Sequence, residues 1–236
     1  MADETKGAVP SRIDPFEKAI EDVRQKKAKI YFGAIRGEGA ERSRHNGVDL
    51  FVPVGTGIQI PARKAVLIGM VREAGTGAGA SMGNGLVLFV PDEKRPYFLQ
   101  LCHLSPRTFG LLRRSGFKIG SEILDKPGGT AVAVAGSSRA GAAPHVHASV
   151  MTSFQYGGKT YTAAGFLELY REGRIPRGNF AGIRPPSRFR NPMNLAGYIN
   201  PLEMMDRGRL RFAAKPAPQM VAERKEKEKP ALLALR

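Results

Sequence analysis

Four histidines and one aspartate carry the chemistry that can be read from this sequence. His45 and Asp49 stand four residues apart in "RHNGVD", His103 closes an apolar run in "LQLCHLS", and His145 and His147 flank Val146 in "APHVHASV". In an extended chain residues i and i+2 share a face, so His145 and His147 present two imidazoles side by side, roughly 6–7 Å apart at Cα. A straight strand would hold His45 and Asp49 roughly 13 Å apart, too far to share a small partner. Asn46-Gly47 between them is turn chemistry that can fold the two together. Two nitrogens and a carboxylate form the three-ligand set of a catalytic zinc site, which keeps its fourth position open. Zinc in such a site activates water and polarises a carbonyl, as amide hydrolysis requires. The remaining histidines would move protons and stabilise the oxyanion. Spacing alone leaves open which of His145 and His147 is the ligand.

These residues need a scaffold, and the text around them reads as short strands split by turns. "VDLFVPV", "GIQI", "AVLIGMV", "GLVLFV", "YFLQLCHL", "TAVAVAG" and "HVHASVM" are β-branched runs separated by Gly, Pro and Asp clusters. This pattern predicts a mainly β protein, a compact antiparallel sheet or sandwich. Ahead of it, Phe16, Ile20, Val23 and Ile30 fall near helical spacing after an Asp14-Pro15 start signal, which predicts a short N-terminal helix. Residues 1–13 read as disordered, and "GAIRGEGAERSR" as a flexible lead into the His45 stretch. "LSPRTFGLLRRSGF" holds a short helix or turn. Beyond Met151 the periodicity fades. "AAGFLELYREG" reads as a short helix ended by Gly173, an Arg/Pro/Gly loop follows, and "NPMNLAGYINPLEMM" as chain returning to the core. The expected organisation is a tail and helix over 1–40, a catalytic domain over 41–205 with an insertion at about 152–198, and a charged tail over 206–236. Two glycine-rich stretches, Gly75–Gly85 and "GGKT" at 157–160, lack the flanking pattern of a phosphate-binding loop. They read as a hairpin connection and an exposed turn.

Composition narrows the partners. The 236 residues are 42% hydrophobic and 25% charged, with 28 Gly and 17 Pro, as a turn-rich globular protein needs. A lone cysteine, Cys102, excludes an internal disulfide. The net charge of +16 favours a polyanionic partner such as nucleic acid, anionic lipid or bacterial wall polymer. From Arg171 to Arg236 there are 15 Lys and Arg against 6 Asp and Glu, so this stretch carries +9 of the total. It is a candidate protein-binding surface as much as a solvated one. No RNP-like strand, zinc-finger spacing or recognition helix accompanies the charge, so no stable nucleic-acid partner is expected. No apolar run approaches the ~20 residues of a membrane span. "MADETKGAVPSRIDPF" lacks the basic and apolar regions of a signal peptide.

In order along the chain, "HNGVDLFVPVGTGIQIPA", "GNGLVLF", "CHLS", "AGSSRAGAAPHVHASV" and "INPLEMM" resemble the lysostaphin/LytM-type zinc metallopeptidases, β-rich endopeptidases of peptidoglycan. The resemblance covers roughly residues 40–151 and the "NPL" element near 200. It implies that His45, Asp49 and His147 bind Zn2+, that His145 is the general base and that His103 stabilises the transition state. The implied substrate is the peptide stem or cross-bridge of bacterial peptidoglycan. The site of action would lie outside the cytoplasm, at the wall or in the periplasm, reached through a phage virion, a lysis system or a secretion system. The alternative within the same fold is a catalytically silent wall-binding, activator or structural protein. Three positions depart from the family pattern. Leu101 stands where a tyrosine is usual, Ala148 and Ser149 replace an aromatic and an acid, and "AGAAP" replaces a more glycine-rich lead into the histidine pair. The added residues after Met151 could wall the cleft, with Tyr156, Tyr161 and the arginines as candidates.

Overall fold

The computed structural model describes residues 14–39, 42–73, 83–137, 143–176, 178–181, 183–186 and 191–215. The expected disorder of residues 1–13, most of the charged C-terminal tail, and Arg177, Arg188 and Arg190 lie outside them. Helix α1 (Pro15–Arg24) comes first, followed by short strands β1 (Ile35–Arg36), β2 (Ser43–Arg44), β3 (Val48–Leu50) and β4 (Gly57–Gln59). The long strands β5 (Lys64–Val71), β6 (Gly85–Val90) and β7 (Tyr97–Cys102) lead into helix α2 (Arg107–Arg114), β8 (Glu122–Leu124) and β9 (Ala131–Val134). Then come β10 (Val146–Met151), β11 (Ser153–Tyr156), β12 (Lys159–Thr162), α3 (Ala163–Arg171), β13 (Tyr198–Ile199), α4 (Pro201–Asp206) and β14 (Ala214–Lys215).

The expectation of a mainly β, antiparallel protein with a short N-terminal helix holds. One sheet runs β13-β10-β7-β6-β5-β8, with β3 pairing the N-terminal half of β10 on the edge whose other half takes β13. A second sheet, β14-β4-β9, has its own ladder and packs against the same core. Alternation sorts the large sheet into two faces. Leu99, Leu101, Val48, Leu50, Val146, Ala148 and Val150 join the main core, together with Phe16, Ala19 and Val23 of α1 and Ile58, Val132 and Ala133 of the second sheet. Phe98, Met151, Val87, Phe89, Val66 and Ile68 point the other way, into a smaller core under Phe154, Phe166, Leu167 and Phe180.

Helix α1 forms as its sequence predicts. Asp14 caps it by accepting from the Phe16 amide at 2.8 Å, and Pro15 opens the first turn. Helix α3 is capped by Thr162, and Gly173 after it takes φ +67°. Two segments differ from expectation. The "flexible lead" contains a two-residue ladder, Ile35 with Arg44 and Arg36 with Ser43. The region after Met151 holds a hairpin, β11 against β12, turned by Gly157 and Gly158 at φ +55° and +75°. "SFQYGGKTYT" carries the glycine pair of a tight hairpin turn, a signal that the fading hydrophobic pattern obscured. Strands β5 and β6, which flank the Gly75–Gly85 stretch, are antiparallel neighbours, and residues 74–82 between them lie outside the described residues. Among the described residues no helix is long and apolar enough to cross a membrane.

Candidate metal centre

The site is built by register. His147 in β10 lies directly opposite Asp49 of β3 on one side and Cys102 of β7 on the other. Directly opposed residues point to the same face, so Asp49 and His147 emerge together on the face that carries the smaller core. His45 precedes β3, and the chain bends at Gly47 to bring it back. Its Nε2 stands 3.2 Å from Asp49 Oδ1, so the pair does converge. Gly47 is required by proximity and not by a left-handed φ. A Cβ there would sit 2.2 Å from the Ala148 carbonyl oxygen and 2.8 Å from Ser149 Oγ. Only a bare backbone lets β10 come this close to the His45 loop.

Three potential ligand atoms meet at this point. His45 Nε2 and His147 Nδ1 are 3.0 Å apart, and His147 Nδ1 and Asp49 Oδ1 are 2.8 Å apart. With the 3.2 Å third side, the triangle approaches the face of a tetrahedron with metal–ligand bonds of about 2.0–2.1 Å, whose edges are about 3.3 Å. All three residues are buried. Their protons point outward. His45 Nδ1 lies 3.0 Å from the Tyr31 carbonyl, which can only accept, so Nε2 carries the lone pair. His147 Nε2 lies 2.8 Å from Ser149 Oγ, which can take its proton and leave Nδ1 bare. Burial opposes ionisation of Asp49, but its close contacts with His147 and His45 outweigh it and hold the carboxyl well below the usual carboxylate range. Burial lowers His147 to about 4 against the pull of the Asp49 carboxylate, keeping the imidazole neutral. Two bare imidazole nitrogens and a carboxylate within hydrogen-bond distance of one another fit a divalent cation.

The other two histidines flank this triangle. His145 Nδ1 lies 2.9 Å from the Ala143 carbonyl, which fixes its proton there and turns the Nε2 lone pair toward Asp49 Oδ1 at 3.6 Å. Phe51 packs on the His145 ring at 5.3 Å between centroids. His103 follows Cys102 and would point to the opposite face if β7 continued. Its φ of +61° breaks the strand and brings its ring to 4.7 Å from that of His145. Such a conformation in a non-glycine residue is sparse, and it is retained where a site needs the side chain.

One wall of the site comes from the chain after Met151. The Phe180 amide donates to the Ile68 carbonyl at 3.0 Å, Asn179 exchanges hydrogen bonds with the Met70 backbone, and Ala181 packs beside Val71 and Cys102. Gly69 makes room, since a Cβ there would meet the Phe180 carbonyl at 2.7 Å. Tyr161 stacks on Phe154 and Tyr156 packs edge-on against Phe180, so both belong to the aromatic cluster behind the wall. Arg171 pairs with Glu93 and Arg174 with Glu172 at the surface. Sequence reasoning missed Arg36, which pairs with Asp49 Oδ2, and the role of Ser149. A serine at that spacing gives no motif.

The structure thus defines a β-sheet scaffold bearing a two-histidine, one-aspartate cluster flanked by two more histidines. Among solved structures, the chain is similar to the catalytic domain of the antimicrobial peptidase lysostaphin from Staphylococcus simulans, at 22% identity and a TM-score of 0.36. That match covers 58% of this chain and 89% of the other. It is also similar to the catalytic domain of the prophage-encoded M23 protein EnpA from Enterococcus faecalis, at 23% identity and a TM-score of 0.33. Here 55% of this chain and 83% of the other are covered. These neighbours are of the lysostaphin/LytM type that the sequence resembles. No protein-family model and no curated protein matches the chain.

Proposed function

We propose that this protein is a zinc-dependent endopeptidase that hydrolyses peptide stems or cross-bridges of bacterial peptidoglycan. The observation that carries the reading is the buried triangle of His45 Nε2, His147 Nδ1 and Asp49 Oδ1, with the His145 Nε2 lone pair facing it. His45, Asp49 and His147 would hold the zinc ion. When bound, it would supply Lewis-acid polarisation of the scissile carbonyl and activation of water. His145 takes the attacking water's proton at Nε2 and returns it to the departing amine, while its Nδ1–H stays on the Ala143 carbonyl. His103, held against His145, would stabilise the substrate oxyanion as it develops. The wall formed by residues 178–181 and 183–186 would limit how substrate lies along the sheet face.

On this reading residues 41–205 form the catalytic unit, with 152–198 as the insertion that builds the wall. The net charge of +16 would draw the protein to anionic wall polymers, with an attraction that weakens as salt rises. Its place of action is the wall or periplasm, reached through a virion, a lysis system or a secretion system.

The test is digestion of purified peptidoglycan followed by mass spectrometry of soluble fragments. Release of defined fragments that stops with a chelator and returns with added zinc is the expected result. Absence of release from folded, zinc-loaded protein on walls of several cross-bridge types would overturn the hydrolase reading.

A further inference from the structure

The N-terminal segment outside the expected catalytic unit builds part of the metal centre. The Ile30 carbonyl accepts from the Asp49 amide at 3.0 Å, and the Ala34 carbonyl accepts from the His45 amide at 2.7 Å. The Gly33 amide donates to the His45 carbonyl at 2.8 Å, and the Tyr31 carbonyl sets the His45 tautomer. Arg36, from β1, completes the arrangement. Its Nη2 donates to Asp49 Oδ2, and Nε and Nη2 both reach the Lys29 carbonyl, at 3.3 and 3.0 Å. Lys29 is itself in a left-handed conformation, φ +58°, within the tight turn that sends the chain back along β3. One edge of the guanidinium, Nε and Nη2, is therefore held between two acceptors.

The two carboxylate oxygens of Asp49 are divided between different partners. Oδ1 faces His45 and His147, while Oδ2 belongs to Arg36. We propose that Arg36 is a positioning residue of the metal centre, holding Asp49 so that Oδ1 alone is offered to the ion. The proposal rests on the metal-centre reading above. Arg36 does not touch substrate; it acts through Asp49. Outer partners of ligating carboxylates tune affinity by about 10- to 100-fold when removed.

Charge alone makes the opposite prediction. A cation beside a divalent ion repels it, so deleting Arg36 on purely Coulombic grounds would tighten metal binding. Positioning predicts weaker binding. The planar fork that bridges the Lys29 carbonyl and Asp49 cannot be reproduced by an ammonium, so Arg36→Lys would weaken binding as well.

The experiment is a chelator-competition titration of zinc on the full chain, with cobalt(II) substitution as a second readout. Wild type, Arg36→Ala, Arg36→Lys and Arg44→Ala are compared. Arg44 lies in the paired strand β2, is exposed and serves as the charge control. Circular dichroism establishes that each metal-free variant is folded at the assay temperature. Expected are a roughly 10- to 100-fold rise in the zinc dissociation constant for Arg36→Ala, a smaller rise for Arg36→Lys and little change for Arg44→Ala. The visible cobalt spectrum should shift in both Arg36 variants as Asp49 Oδ2 is freed, and excess zinc should restore full occupancy. Unchanged or tighter zinc binding by folded Arg36→Ala overturns the proposal. Should that variant not fold, the same result with Arg36→Lys overturns it. Failure of wild type to bind zinc would instead sink the metal-centre reading itself.

Discussion

Asp49 and His147 are cross-strand partners, and this one register position between β3 and β10 makes the site. His147 Nδ1 and Asp49 Oδ1 stand 2.8 Å apart because their backbones are paired, not because a loop has happened to bring them together. A slip of one residue would send His147 into the main core and replace it on the site face with Val146 or Ala148.

The two histidines of the HxH pair therefore separate by experiment. His147→Ala removes a ligand, and zinc content measured by mass spectrometry should fall from about one per chain toward background. His145→Ala should keep the zinc and lose about 10²- to 10⁴-fold in peptidoglycan hydrolysis. Loss of zinc from the second variant and not the first would reverse the two roles.

Ser149 should matter more than its small side chain suggests. It is fully buried and receives His147 Nε2, and it stands where the resembling family has an acid. Ser149→Ala leaves that nitrogen unpartnered at a cost of about 1–3 kcal/mol. Zinc affinity should fall by roughly 10-fold with the fold retained. Equal zinc affinities for wild type and variant would remove Ser149 from the centre.

Gly47→Ala tests the close approach of β10. The added methyl would lie 2.2 Å from the Ala148 carbonyl oxygen, so the His45 loop and β10 must part. Thermal unfolding should show destabilisation of at least about 1–3 kcal/mol, together with weakened zinc binding. A variant as stable as wild type would mean that the loop has slack.

Acid should destabilise the metal-free protein through His147. Burial lowers its folded pKa to about 4, below the usual histidine value of about 6.5. The unfolded chain therefore takes up this proton first. The contribution is fully present above about pH 6.5 and is lost as pH falls toward about 4. Melting temperatures of chelator-treated protein across that window should decline more steeply for wild type than for His147→Gln. Parallel declines would contradict the assignment.

Much of the site was legible because its residues are chemically unusual and sit at strand-compatible spacings. His145 and His147 on one face, and a turn between His45 and Asp49, followed from elementary chain geometry. What escaped depended on contacts between distant segments. Arg36 reaches Asp49 through a two-residue ladder too short to give a hydrophobic pattern. His103 reaches the site by a left-handed backbone that spacing does not encode, since alternation would have pointed it away. The same limit applied to the fold. Strands β5 and β6 announced themselves by nearly continuous apolar runs, β7 by an apolar run broken only at Gln100, and β10 by apolar residues at alternate positions. Strand β8, three residues with only Ile123 buried, did not.

The most direct test of the account is anomalous diffraction at the zinc edge from crystals of the zinc-loaded protein. The account predicts a peak within about 2.0–2.2 Å of His45 Nε2, His147 Nδ1 and Asp49 Oδ1, with His145 outside bonding distance. A peak ligated by His145, or none among these three atoms, would contradict it.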